Sequence, residues 1–265
     1  MYKKIIAFAV AVVTFAACTT VPITGRRQLS LVSDAAMQQQ SYAAYDQVIS
    51  ESKLSRDAQA TAMVKRVGQR IQRAVEQYMA ANGLQSELEG FAWEFNLIED
   101  DQVNAWAMAG GKTAVYTGLL PVAQNETGLA VVMGHEIAHA IAKHGNERMS
   151  QALAQQFGGQ TLSALAGNQP GTAQNLVMAV YGVGSQLGLL KYGRTQESEA
   201  DRLGLIFMAM AGYNPEEAVP FWQRMEAKSG GQAPPEFLST HPSAGTRQAA
   251  LRQHMPEALK YYKAR

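Results

Sequence analysis

"VVMGHEIAHAIAKHG", residues 131–145, decides how this chain is read. It is an apolar, helix-like stretch interrupted by His135, Glu136 and His139. On an α-helix, positions i and i+4 share a face one turn apart, so the two imidazoles aim at one point. Glu136 follows the first histidine and sits at the edge of the same site. Three polar groups in an otherwise apolar helix are costly to bury without a use. The pentapeptide alone leaves two readings open. Either the histidines are core residues bonded to carbonyls, or they are metal ligands. Two ligands on one helix with a carboxylate beside them is the spacing a zinc hydrolase uses.

A catalytic zinc takes three protein ligands and keeps one position open. A third histidine six residues after His139, with glycine at 142, would mark the metzincin pattern. Those positions hold Gly145 and Ala142, so that pattern is absent. His144 lies five residues after His139, about 140° further round an ideal helix. It reads as a helix C-terminal residue favoured by the dipole. The remaining source is a carboxylate on another helix. In "RTQESEADRLG", residues 194–204, Glu197 and Asp201 share one face of a helix expected over 196–211. Glu197 is the candidate ligand. Asp201 is the candidate partner that holds a ligating imidazole in its tautomer. Glu199 points away from that face. On spacing alone the same stretch reads first as a solvated acidic turn at a helix N-terminus.

The rest of the chain is expected to be α+β, mainly α. Helical periodicity covers about 34–50 and 56–81, the second with Val64, Val67, Ile71, Val75 and Tyr78 on one face. "FAWEFNLIE" at 91–99 alternates as a strand, and "NAWAMAGGKTAVYTG" at 104–118 reads as strand, Gly-Gly turn, strand. These form a small mixed or antiparallel sheet. The active helix is expected at about 127–144, and further helices at about 147–165, 173–190, 196–211, 215–228 and 243–254. "GNQPG" at 167–171 and "KSGGQAPPEF" at 228–237 read as loops.

The N-terminus has its own logic. Lys3 and Lys4 precede an apolar run from Ile5 to Ala17, too short to span a membrane comfortably and suited to a signal-peptide core. Small residues Ala16 and Ala17 then precede Cys18, the one cysteine. The order resembles a bacterial lipobox. It implies a signal peptide over 1–17, acylation of Cys18, a lipidated tether over 18–33 and a single domain over 34–265. No aspartate follows Cys18, so the resemblance points to the periplasm, with the outer membrane favoured over the inner. The formal net charge of +1 gives no electrostatic case for nucleic acid.

"HEIAHAIAKHG", "ESEAD" and "STHPS" (239–243), in that order, resemble the zinc metallopeptidase family that includes the CAAX prenyl proteases and the HtpX heat-shock protease. "VPITGRRQLSLVS" (21–33) and "NAWAMAGGKTAVYTGLL" (104–120) resemble its soluble periplasmic branch. The likeness implies a zincin, gluzincin-like catalytic domain holding one Zn2+ per chain through His135, His139 and Glu197. It implies Glu136 as general base and Asp201 as the supporting carboxylate. His241 would stabilise the transition state or occlude the open position. Arg247 would contact substrate or pair with an acid. The strand within "GGKTAVYTG", including Ala114, is expected to be the sheet edge that binds protein or peptide substrates as an added strand, with Asn104 at the same cleft. The implied activity is endopeptidase cleavage of misfolded or unassembled envelope proteins. The competing reading is a latent or non-catalytic zinc-containing assembly factor for outer-membrane proteins. Oligomeric state is not legible in the sequence.

Overall fold

The computed structural model describes residues 18–156, 170–181, 193–228, 236–241 and 247–263, with isolated positions 164, 167 and 183. The expected signal segment 1–17 lies outside them. So do most of the expected loop at 228–237 and parts of the expected helices at 147–165, 173–190 and 243–254, whereas Pro170 and Gly171 of the expected loop at 167–171 begin a helix. Among the described residues, no helix is long and apolar enough to cross a membrane.

The chain opens with a hairpin of β1 (Cys18–Thr20) and β2 (Arg27–Leu29), followed by α1 (Asp34–Glu51) and α2 (Ala58–Ala81). Strands β3 (Glu94–Ile98), β4 (Ala105–Ala107) and β5 (Lys112–Tyr116) come next, then a short α3 (Leu120–Ala123). The helical remainder is α4 (Glu126–Ile141), α5 (His144–Gln156), α6 (Pro170–Val180), α7 (Arg194–Met210), α8 (Ala218–Lys228), α9 (Glu236–Thr240) and α10 (Arg247–Leu259). Side-chain caps set three of the helix starts. Ser33 accepts from Ala36 N, Asp57 from Ala60 N, and Asn125 from Thr127 N and Gly128 N.

The sheet order is β3-β5-β4, with β3 parallel and β4 antiparallel to β5. The Gly110-Gly111 turn holds, both residues at positive φ, where glycine carries no steric penalty. Alternation along the strands builds one hydrophobic cluster on each face. Phe95, Leu97, Ala105, Ala107 and Val115 join α2, α4 and α7. Ile98, Trp106, Met108, Ala114 and Tyr116 join α1, α5 and α6. The result is a mainly helical zincin-like domain with helices on both faces of a small mixed sheet.

Two expectations are corrected. The strand "KTAVY" is β5, the central strand, and β4 is the edge next to α4. Ala114 is therefore paired on both sides, to Asn96 and Trp106, and its side chain faces away from α4. It offers no backbone to a substrate. The stretch 18–33 is also no loose tether. Val21 is buried in the main core, Val32 in the second cluster, and Gln28 is buried as well.

Helix α4 is the centre of the molecule. Every residue from Gly128 to Ile141 is buried. Its closest neighbour is α7, and two glycines set the crossing. A Cβ on Gly204 would lie 2.9 Å from His135 N, and one on Gly134 would lie 3.0 Å from Gly204 O. These are backbone atoms, so the helices would have to separate. We expect Gly204→Val to destabilise the fold by about 1–3 kcal/mol through overpacking. Gly171→Ala meets nothing within 4 Å and sits in a helix, so it should be neutral or stabilising. Denaturant unfolding of the two variants checks the difference.

Candidate metal centre

The close α4–α7 crossing brings Glu197 to the two histidines of α4. His135 Nε2 and His139 Nε2 lie 3.0 Å apart, and the Glu197 carboxylate is 3.6 Å from the first and 3.4 Å from the second. His241, just after α9, adds Nδ1 at 2.9 Å from Glu197 Oε1 and 3.4 Å from His135 Nε2. The four residues offer one donor atom each, all within 4.8 Å of one another, and all four are buried. Three imidazoles and a carboxylate suit zinc by ligand type and number. Glu136 lies alongside, 3.6 Å from His241 Nε2. Its Oε1 is buried without a hydrogen-bond partner, an orphan that a water held between it and a cation would satisfy. The residues fit the metal.

The charges around the cluster are arranged for it. Burial raises Glu136 well above the ordinary carboxylate range, and the neighbouring Glu197 adds to this. A bound divalent cation opposes both effects. Burial also works against ionised Glu197, but His241, His139 and His135 outweigh it and hold its pKa well below normal. Burial pushes His139 well down, and His241 down to about 4, so both imidazoles are neutral and able to ligate at neutral pH.

Each helix histidine has a partner behind it. His135 Nδ1 is 2.9 Å from Asp201 Oδ1, and Asp201 also accepts from Arg247 at 2.6 Å. This fixes the tautomer in which Nε2 is free for the metal. Arg247 spans Asp201 and Glu197 Oε2 (3.2 Å) and stacks over Trp222, with its guanidinium carbon 3.4 Å from the ring centroid. Of its two expected roles, the structure places it in acid pairing: it is buried and turned towards the carboxylates.

His139 is backed by His144, contrary to the dipole reading. The expected single helix breaks. Helix α4 ends at Ile141, Lys143 adopts φ 59°, and α5 starts at His144. Lys143 is held there by Asp34 and Glu87, each at 2.6 Å. The reset turns His144 back, so its Nδ1 is 2.7 Å from His139 Nδ1 while its Nε2 is 2.9 Å from Glu199 Oε2. Glu199 does point away from the cluster, as its position on the helix implied, and it points at His144. Burial opposes its charge, but His144, Thr24 and Arg26 bring its pKa down to about 2. His254 lies outside the cluster, with Nε2 3.4 Å from Ser198 Oγ.

The edge of β4 borders this site. Asn104 O, Trp106 and Met108 N bond to β5, so the odd-numbered backbone groups face outward. Four of these are engaged from within the chain. Val103 O accepts from Phe237 N at 3.4 Å, and Ala105 N donates to Asn104 Oδ1 at 2.9 Å. The Ala107 amide faces Glu136, and Ala109 N donates to Tyr181 Oη at 2.9 Å. Asn104 is thus a buried strand-end residue that satisfies β4. The α9 segment lies over the strand end, and Phe237 stacks on His241 at 4.4 Å between centroids.

Two histidines from one helix, a carboxylate from a second and a buried glutamate beside them make this a zinc metallopeptidase domain. The sequence profile of Peptidase family M48 matches residues 65–255, and the chain belongs to that family. It is 34% identical over 243 residues to the "Mitochondrial metalloendopeptidase OMA1" of Schizosaccharomyces pombe, covering 90% of this chain and 66% of that protein. It is 37% identical over 156 residues to the "Putative beta-barrel assembly-enhancing protease" of Vibrio cholerae, covering 56% of this chain and 31% of that protein. It is 31% identical over 169 residues to the "Beta-barrel assembly-enhancing protease" of Escherichia coli K12, covering 60% and 34%. The chain thus spans from about a third to just under two thirds of the length of these three relatives.

We expect one zinc per chain in the wild type and in Glu136→Gln. His139→Ala and Glu197→Ala should fall well below that. Elemental analysis after gel filtration checks it.

Proposed function

We propose that the chain is a zinc-dependent endopeptidase that cuts misfolded or unassembled envelope proteins on the periplasmic side of the membrane, held there by lipid on Cys18. The observation that carries the catalytic part is Glu136, buried beside the donor cluster with an unpartnered oxygen. A purely structural site has no use for it. When bound, zinc polarises the scissile carbonyl and acidifies water. Glu136 takes the proton from the attacking water and delivers it to the leaving amine. His135 and His139 are oriented by Asp201 and His144, and Arg247 balances Glu197 and Asp201 of α7. The substrate is an extended strand that pairs with the outward groups of β4.

For that pairing α9 and His241 must move. With His241 in place the donor set is four-fold and closed, the form of a structural zinc site. We read this as a latent state, in which displacement of His241 frees the fourth position. The same closure favours the second reading, an assembly factor whose zinc is catalytically silent. The periplasmic lipoprotein branch rests on the order Lys3, Lys4, apolar run, Cys18, and on the exposed position of Cys18 at the start of β1. The names of the V. cholerae and E. coli relatives agree with an envelope substrate. We take residues 18–265 to act as one domain, with the N-terminal hairpin included.

Casein hydrolysis by the purified protein tests the activity. Glu136→Gln should lower the rate by about 10²–10⁴-fold with zinc retained. His241→Ala should raise the basal rate, with its zinc removable more quickly by chelator. Zinc-loaded protein in which neither wild type nor His241→Ala cleaves any peptide would support the silent assembly factor instead.

A further inference from the structure

The partners behind His135 belong to the helices around it. Those behind His139 lead out of the helical body and end on the N-terminal hairpin. Glu199 Oε1 accepts from the Thr24 hydroxyl, and Oε2 accepts from Arg26 Nε at 2.5 Å. Arg26 also pairs with Glu147 of α5 at 2.9 Å. Glu147 in turn accepts from Gln196 at the start of α7 at 2.7 Å. One guanidinium therefore ties the helix that carries His144 to the helix that carries Glu197.

The proton order along this path is forced. His139 presents Nε2 to the cluster, so its proton is on Nδ1. His144 Nδ1, 2.7 Å away, must accept it. The proton of His144 is then on Nε2 and is donated to Glu199. Glu199 accepts as a carboxylate, and its other contacts come from Thr24 and Arg26, both donors. Without those donors Glu199 is a buried anion with less to hold it, and the tautomer of His144 is no longer imposed. The orientation of His139 depends on that tautomer.

We propose that Thr24 and Arg26 are positioning residues for the metal ligand His139, acting through Glu199 and His144. Docking of the hairpin and metal affinity are then one linked equilibrium: the hairpin tightens metal binding, and metal binding tightens the hairpin by the same factor. Cys18 pairs with Leu29 in this hairpin, so an attachment at Cys18 loads the element that supports His139.

The proposal rests on zinc occupying the His135–His139 site, and the test separates the two. Zinc content of the wild-type full chain is measured first. A zinc-free wild type would mean that the metal reading itself fails. With zinc bound, its transfer to a fluorescent chelator is timed for wild type, Arg26→Gln, Glu199→Gln, Thr24→Val, Thr24→Ser and Arg66→Gln. Arg66 pairs with Glu126 on an exposed surface and serves as the control. We expect zinc loss about 10–100-fold faster in Arg26→Gln and Glu199→Gln. Thr24→Val should be several-fold faster, and Thr24→Ser should return to wild type. Backbone hydrogen exchange over residues 18–31 should slow when zinc binds the wild type and respond less in Arg26→Gln. Zinc loss in Arg26→Gln and Thr24→Val no faster than in Arg66→Gln would overturn the proposal. If Arg26→Gln does not fold, the Thr24→Val and Thr24→Ser pair decides, because a restored hydroxyl repairs only its contacts with Glu199 and with the Arg26 amide, both on the proposed path.

Discussion

The close approach of α4 and α7 is the constraint on which the rest depends. Where Gly134 meets Gly204 there is no room for a side chain. That contact lies next to His135 in sequence and two turns beyond Glu197. Helices packed through larger residues would sit further apart, and a glutamate side chain would no longer reach imidazoles on the facing helix. The crossing also places Asp201 behind His135, so one helix supplies both a ligand and the partner of another ligand. Burying several ionisable groups in so small a volume would ordinarily be destabilising. Here each carboxylate of α7 has at least one cationic or imidazole partner, and the unfilled valence left over is what a divalent cation supplies.

The legible part of the site was local. His135 with His139, and Glu197 with Asp201, are i, i+4 pairs, and a helix converts that spacing directly into a shared face. The three central strands, their Gly-Gly turn and most helix spans were legible for the same reason. Long-range features were not. An unbroken helix would direct His144 away from His139, and the left-handed Lys143 that breaks it is held by Asp34 and Glu87 from distant segments. The sequence "KHG" carried a weak stop signal in Gly145, but nothing local specifies the turn at Lys143. The order of strands was equally hidden. Three alternating segments do not say which is central, and the edge expected at β5 is in fact formed by β4. The hairpin at 18–33 looked like a tether because its burial comes from partners far along the chain: Glu147, Ser150 and Glu199.

The architecture joins a complete hydrolytic set to a closed cleft. The outward edge of β4 is engaged by α9, by Asn104, by Glu136 and by Tyr181, and the fourth ligand position is taken by His241. Removing α9 and His241 together frees Val103 O at the end of the strand edge and uncovers the donor cluster, because Phe237 stacks on His241 while its amide bonds Val103. A single segment therefore couples access of the substrate to access of the metal. This fits an enzyme whose activity is held back until a substrate or partner displaces that segment.

X-ray absorption at the zinc edge tests this account most directly, because it counts imidazoles on the metal. The closed four-donor site predicts three histidine ligands and one oxygen in the wild type, and two histidines in His241→Ala. A wild-type spectrum with only two imidazoles, unchanged by His241→Ala, would contradict it and place His241 outside the metal's coordination.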